Sequence, residues 1–85
     1  MTARVLIRLK ASILDAQGAS VKRALEGLGF PEVRDVRVGK VIDLDLDGAD
    51  AETARRRIGE MCARLLVNPV IENVTVELHG EREAR

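Results

Sequence analysis

The sequence has almost no aromatic residues: among 85 residues, Phe30 is the only one, and Trp and Tyr are absent. RNA-binding modules on small α+β scaffolds stack bases on exposed aromatic side chains, so their scarcity argues against an RNA-binding module. The core must be aliphatic instead. A chain of this length forms one small domain and buries only about 60–65% of its unfolded surface, so we expect a marginal core.

Cysteine and histidine are equally scarce, with Cys62 and His79 the only examples. One cysteine forms no disulfide framework, which fits a reducing cytosol. One Cys and one His cannot build a zinc site of the usual spacing within one chain, and a metal chaperone of this size would need paired cysteines. We therefore expect Cys62 to pack as a small hydrophobe and His79 to be solvated.

The chain also lacks an excess of charge of either sign, since fourteen basic and fourteen acidic side chains cancel. Nucleic acids and anionic membranes select an excess of Lys and Arg, so neither is an expected partner. Near-zero net charge removes the repulsion that keeps small proteins apart, which favours association. Apolar runs are four residues or fewer, and the amino terminus enters a predicted strand without a signal segment, so we expect a cytoplasmic protein.

Hydrophobic periodicity predicts two strands and two helices around the centre of the chain. Residues 4–10 alternate as a first strand, and residues 70–78 alternate as a last one. Asp15 and Asp50 are predicted N-caps of the two helices. The first helix carries the apolar stripe Val21, Ala24, Leu25 and Leu28 and ends near Gly29, and the second ends before Asn68-Pro69.

The central residues 33–46 have the pattern of a β-hairpin. Val36 and Val38 alternate with polar residues before Gly39-Lys40, and Ile42 and Leu44 alternate with aspartates after it. Alternation on both sides of a two-residue turn that contains glycine predicts two strands joined by a tight turn. Gly39 would take the positive φ of that turn.

The resulting order is β-α-β-β-α-β, which predicts an α+β two-layer sandwich with two helices on one face of an antiparallel sheet, in ferredoxin-like order. A faint repeat supports two similar halves, because residues 31–38 align with residues 69–76 at a constant offset of 38. We expect one domain over residues 1–80 and a frayed polar tail over 81–85. The first and third strands should be neighbours, with Arg8 and Lys10 answering the aspartates of the third: Asp43, Asp45 and Asp47.

No constellation in the sequence predicts an active site. Alternating aspartates on a strand lie about 6.5–7 Å apart, too far for one metal ion. Gly39-Lys40 is not surrounded by phosphate-loop spacing, and no nucleophile has a neighbouring base. We therefore predict no catalytic, cofactor-binding or metal-binding residue. The arginines at positions 55–57 and 64 are interpreted as an exposed helix face, with docking on an acidic protein surface as the alternative.

Three segments together resemble the PurS family. They are residues 14–18 (Leu-Asp-Ala-Gln-Gly), residues 33–40 (Val-Arg-Asp-Val-Arg-Val-Gly-Lys) and residues 61–72 (Met-Cys-Ala-Arg-Leu-Leu-Val-Asn-Pro-Val-Ile-Glu). The resemblance runs from the first strand through Glu77. The sequence departs from the family pattern at Asn73-Val74, where a Tyr often follows the Ile-Glu step.

The resemblance implies a role in de novo purine synthesis. PurS is the small subunit of bacterial and archaeal phosphoribosylformylglycinamidine synthase. The resemblance implies that this chain is an adaptor between other subunits and carries no catalytic residues. The implied partners are a glutaminase subunit (PurQ), which releases ammonia, and a synthetase subunit (PurL), which uses ATP and magnesium. The resemblance implies that PurS holds the two together and helps pass the ammonia. No cofactor is expected in this chain.

We expect the chain to associate with itself as a homodimer or a dimer of dimers, because its core is marginal and its edge strands need covering. We predict Arg37, Gly39 and Lys40 as the partner interface, since the two cations have no obvious partner within the chain. The alternative function is a small-ligand regulatory domain of the ACT type. That class usually has a glycine-rich turn after its first strand, and this chain has no glycine there before Gly18.

Overall fold

The computed structural model describes residues 1–48 and 50–79. It confirms the fold class, an antiparallel sheet with two helices, here in the order β-α-β-α-β. The predicted tail, residues 81–85, lies outside the described residues. The elements are β1 (Thr2–Leu9), α1 (Ala16–Gly27), β2 (Lys40–Asp45), α2 (Ala51–Met61) continued by a π-helical turn (Cys62–Leu66), and β3 (Glu72–His79).

The sheet has the order β2-β1-β3, with β1 in the centre and antiparallel to both neighbours. Val5 lies opposite Ile42 on one side and opposite Val76 on the other. The expected adjacency of the first and third predicted strands is therefore confirmed. β2 and β3 are the edges of the sheet.

One face of the sheet forms the core. Alternation along β1 turns Ala3, Val5 and Ile7 inward, and all three are buried. α2 covers this face with residues spaced four apart, and the buried residues it supplies with the π-helical turn are Ala54, Ile58 and Cys62. The core of the described residues is small and wholly aliphatic apart from the thiol.

Both helices begin where the sequence predicts. Asp15 accepts a hydrogen bond from the N–H of Gly18, and Asp50 accepts one from the N–H of Glu52. Each carboxylate satisfies a donor that the first helical turn leaves without a partner. The second helical segment ends at the extended Val67, just before Asn68-Pro69 as predicted.

The predicted hairpin is wrong. Residues 33–39 have no regular secondary structure, and a single strand, β2, starts only at Lys40. Among the described residues, Gly29 and Gly48 are the glycines with positive φ, so Gly39 forms no tight turn. Gly39 instead allows a close approach to β1, because a Cβ there would lie 2.6 Å from the carbonyl oxygen of Ile7.

The first helix does not pack where the two-layer arrangement would put it. Among the described residues, no Cα atom of α1 lies within 8 Å of a Cα atom of the sheet or of α2. Its apolar stripe is uncovered, with Val21 40% and Leu28 73% exposed. The radius of gyration is 16.3 Å, whereas a compact chain of this length has about 12 Å. The first turn of α1 lies instead against the segment before β2, because a Cβ on Gly18 would lie 2.3 Å from the carbonyl oxygen of Val36.

The prediction that Arg8 and Lys10 pair with the aspartates of the third predicted strand is also wrong, because the strands pair in a different register. Asp43 pairs with Arg4, whose Nε lies 2.9 Å from its Oδ1. Lys10 donates to Asn73 at 3.2 Å instead of reaching an aspartate. The pairing of β1 with β2 ends at Ile7 and Lys40, so Arg8 lies beyond the last paired residue of β2.

Candidate functional site

The three predicted interface residues lie together at a groove of about 370 Å³. The groove forms where the second half of β1 meets the chain entering β2. Two segments line it, residues 6–9 and residues 37–41. The structure thus brings Arg37, Gly39 and Lys40 to one surface depression, although not at the tip of a hairpin.

Arg37 has partners within the chain, so the expectation that it lacks one is wrong. Its Nη1 donates to the carbonyl of Ile13 at 3.1 Å, and its Nη2 donates to the carbonyl of Lys10 at 2.9 Å. The guanidinium remains exposed. It therefore fastens the loop between β1 and α1 while keeping part of its surface toward solvent.

Lys40 also has a partner, since its Nζ lies 3.5 Å from Oε2 of Glu72 across the end of β1. The Lys40 side chain is 61% exposed, whereas that of Glu72 is 12% exposed. A hydrogen bond from the N–H of Asn68 holds the pKa of Glu72 below its ordinary value, and the charge of Lys40 adds to this. The Glu72 carboxylate is thus held in place by the N–H of Asn68, and the ammonium of Lys40 beside it is exposed to solvent.

A buried carboxylate holds one of the two segments that line the groove. Asp15 is buried, and its two oxygens accept hydrogen bonds from the N–H of Gly18 at 2.8 Å and the N–H of Val38 at 2.7 Å. The pKa of Asp15 is lowered by the bond from Gly18 and then by that from Val38, against the effect of burial, and the charge of Arg37 lowers it further. The carboxylate stays ionised and ties residues 37–39 to the start of α1.

Arg8 is the groove residue that sequence reasoning missed. The sequence pairs it with the aspartates of the third strand, yet the structure places it opposite Asn73, and among the described residues its guanidinium has no ion pair or hydrogen bond. The exact register of β1 against β2 would have revealed it, and alternation alone does not determine register. The groove is therefore lined by three cations: Arg8, Arg37 and Lys40.

The residues that could carry other chemistry lie apart from the groove. Cys62 is in the core, and burial raises the pKa of its thiol, while His79 is exposed at the end of β3. Over residues 1–48 and 50–79, no group of three or more His, Cys, Asp or Glu side chains is placed to hold a metal ion. The same part of the chain contains no helix long and apolar enough to cross a membrane.

Comparison with known sequences identifies a family. A family model described as PurS, phosphoribosylformylglycinamidine (FGAM) synthase, matches residues 2–80. The phosphoribosylformylglycinamidine synthase subunit PurS of Methanocaldococcus jannaschii is 38% identical over 76 residues, which cover 89% of this chain and 92% of that protein. The Bacillus subtilis subunit of the same name is 40% identical over 75 residues, 88% of each chain.

Solved structures agree. M. jannaschii PurS, described as one of the subunits of formylglycinamide ribonucleotide amidotransferase, superposes with a TM-score of 0.86 at 34% identity over 95% of this chain and 98% of that chain. A chain in the structure of PurLQS from Thermotoga maritima superposes with a TM-score of 0.77 at 31% identity, covering 91% of this chain and 96% of that one.

Proposed function

The chain belongs to the PurS family, and from this membership we propose that it joins the glutaminase and synthetase subunits of phosphoribosylformylglycinamidine synthase and assists ammonia transfer between them. It is a subunit of a glutamine-dependent ligase of purine biosynthesis. The family match does not support the alternative of an ACT-type regulatory domain.

The observation that carries this proposal is the likeness to a chain of the T. maritima PurLQS assembly. The complex converts formylglycinamide ribonucleotide, glutamine, ATP and water into formylglycinamidine ribonucleotide, glutamate, ADP and phosphate. In our proposal, ATP and magnesium bind the synthetase subunit, the glutaminase releases ammonia, and this chain supplies no reacting group. We place the complex in the cytoplasm, where its nucleotide substrates are made.

The groove is the proposed docking site for a partner subunit. Arg8, Arg37 and Lys40 line it, and Gly39 lets this part of the chain lie against the carbonyl of Ile7. Three cations around a depression favour an acidic segment, because complementary charge steers encounter and fixes register. Arg37 contributes an exposed guanidinium that the chain already holds in position, so little side-chain entropy is lost on binding.

We also propose that the chain acts as a homodimer or a dimer of dimers. The core of the described residues is small, both outer strands present unpaired edges, and large apolar side chains such as Leu14, Leu28 and Leu65 are more than 70% exposed. Native proteins cover such edges and patches, most simply with a second copy.

Co-elution with the two partners tests the adaptor role. The glutaminase and synthetase from one organism are mixed with and without this chain and separated by size. We expect both partners in a single peak with this chain when it is present and in separate peaks when it is absent. Partners that associate fully without the chain, or a chain that elutes apart from both, would show that it is not the adaptor.

A further inference from the structure

The outer edge of β3 carries a row of backbone groups that have no partner among the described residues. The N–H of Lys10 donates to the carbonyl of Ile71, so Ile71, just before β3, turns its backbone groups toward β1. Successive residues of an antiparallel pair turn these groups to alternate sides, and the pairing with β1 continues along the whole of β3. Val74, Val76 and Leu78 therefore turn their N–H and C=O groups away from the sheet, because β3 is an outer strand.

β3 has none of the features with which proteins commonly protect an outer strand. Such strands are kept short, contain lysine or proline, or are interrupted by a bulge. Residues 72–79 read Glu-Asn-Val-Thr-Val-Glu-Leu-His, without lysine, proline or glycine. All eight residues pair with consecutive residues of β1, so the strand contains no bulge. Only an extended segment matches the alternating donors and acceptors of this edge.

The side chains beside the β3 edge indicate which residues a complementary strand would carry. Val74 lies opposite the buried Ile7 and so faces the core side of the sheet, yet it is 41% exposed. On the other face Glu77 is exposed and has no ion pair among the described residues, since Arg4 opposite it pairs with Asp43. A complementary strand would thus place apolar residues on the core side and Lys or Arg on the outer face.

We propose that the β3 edge binds an extended segment of one of the two partner subunits, with apolar residues alternating with basic ones, which adds to the sheet as another strand. Strand addition derives its affinity from main-chain hydrogen bonds and its specificity from alternate side chains. The inference rests on the adaptor role proposed above and does not require a particular oligomeric state.

An adaptor that joins two different subunits needs two separate surfaces, and the groove provides one of them. The groove is lined by β1 and by the chain entering β2, whereas β3 lies on the opposite side of β1. A strand that adds to the β3 edge therefore leaves the groove open. The subunit bound at this edge is the one that does not occupy the groove.

A second copy of this chain would complement the β3 edge less well. Two β3 strands paired with each other would bring together glutamates, at positions 72 and 77, and no lysine or arginine. Complementary charge fixes the register of an interface, and like charges opposite each other weaken it. The edge therefore favours a basic segment of another protein.

Hydrogen exchange of the chain, read by NMR, tests the edge directly. Exchange is followed in the chain alone and with an excess of the glutaminase or the synthetase, in the presence of glutamine, ATP and magnesium. We expect the N–H groups of Val74, Val76 and Leu78 to exchange rapidly in the chain alone and about tenfold more slowly with one of the subunits. The N–H groups of Thr75 and Glu77, which point toward β1, are the internal control and should be protected in every sample.

Two outcomes would overturn this proposal and leave the adaptor role intact. Protection of the three edge N–H groups in the chain alone would mean that a second copy occupies the edge. No added protection when both subunits bind would mean that neither adds a strand there. A chain that binds neither subunit would contradict the adaptor role itself, and this proposal with it.

Val74→Pro provides a second measurement. Proline is tolerated in an outer strand where the N–H points away from the sheet, but it removes a donor from the edge. The dissociation constant for one subunit should rise about tenfold, whereas that for the other subunit and the mass by light scattering should not change. Val74→Ala is the matched control, because it shortens the side chain and keeps the N–H. Equal effects of the two substitutions would contradict strand addition.

Glu77→Lys tests the charge of the added strand and also serves if Val74→Pro does not fold. Glu77 is exposed, so its substitution should not disturb the core. A lysine there would oppose the basic residue of the added strand, and we expect binding to the same subunit to weaken about fivefold, with a smaller effect of Glu77→Gln. A Glu77→Lys chain that binds both subunits as the unmodified chain does would contradict a basic strand at this edge.

Discussion

The side chain of Asp15 accepts a hydrogen bond from the N–H of Val38 at 2.7 Å, 23 residues further along the chain. Its other oxygen caps α1 through the N–H of Gly18. One buried carboxylate thus fixes both the start of a helix and the segment that enters β2. The position of the groove relative to α1 depends on this residue.

Stability should fall in acid partly through Asp15. Its pKa is lowered in the folded chain by the bonds from Gly18 and Val38, so its contribution is complete above the unfolded value near 3.8 and is lost as the pH drops toward the folded value. Asp50 and Glu72 have lowered pKa values and act in the same direction. We expect the urea midpoint to decrease steadily below about pH 4.

Asp15→Asn isolates that contribution. The amide keeps one acceptor oxygen but cannot accept from both Gly18 and Val38, so the urea midpoint at pH 7 should drop and the acid dependence should become shallower. Asp35→Asn is the control, because the exposed Asp35 accepts a bond from the adjacent Val36 and from no other residue in the part of the chain that the structure describes. An Asp15→Asn protein whose pH profile matches that of the unmodified chain would contradict the role of this carboxylate.

Two glycines in helices should respond oppositely to alanine. Gly18→Ala places a Cβ 2.3 Å from the carbonyl oxygen of Val36, which forces backbone apart, so we expect a loss of about 1–3 kcal/mol in the free energy of unfolding. Gly59→Ala in α2 meets nothing within 4 Å and should gain about 0.5–1 kcal/mol from helix propensity. Urea titration of both variants measures this. Equal effects would mean that α1 is not held against residues 33–38.

Substitutions of the groove cations should affect partner binding and folding stability to different extents. Lys40→Ala should weaken binding to a partner subunit about tenfold, or about 1.4 kcal/mol. It should leave the urea midpoint nearly unchanged, because exposed ion pairs add little to stability. Arg37→Ala should weaken binding and also lower the midpoint, since it releases the carbonyls of Lys10 and Ile13. If the Lys40→Ala and Arg8→Ala variants both co-elute with the partner subunits as the unmodified chain does, the groove is not the docking site.

Local signals in the sequence predicted much of the fold. Both N-caps, the alternation of β1 and the stop before Asn68-Pro69 depend on neighbouring residues, and the structure has them where expected. The adjacency of β1 and β2 followed from the order of elements. The family resemblance then supplied a function that the side chains alone do not show, because the chain's role depends on other subunits.

The structure of residues 33–46 could not be predicted, because their sequence pattern is compatible with two backbone conformations. Alternation around Gly39 fits a closed hairpin and equally fits a long segment that passes β1, where Gly39 is needed for its lack of a side chain. The buried bonds of Asp15 and Arg37 decide between them, and these join residues more than twenty positions apart. The same long-range contacts explain why the sequence suggests no partner for Arg37, whereas Arg8 depends on the register of the strands.

The central claim, that this chain couples ammonia release to its use, is tested by comparing two nitrogen sources in one assay. Formylglycinamidine ribonucleotide formation is measured with the synthetase and glutaminase, with and without this chain, using either glutamine or ammonium. We predict that glutamine-dependent turnover requires the chain, whereas ammonium-dependent turnover by the synthetase persists without it. Equal glutamine-dependent turnover in its absence would contradict the account.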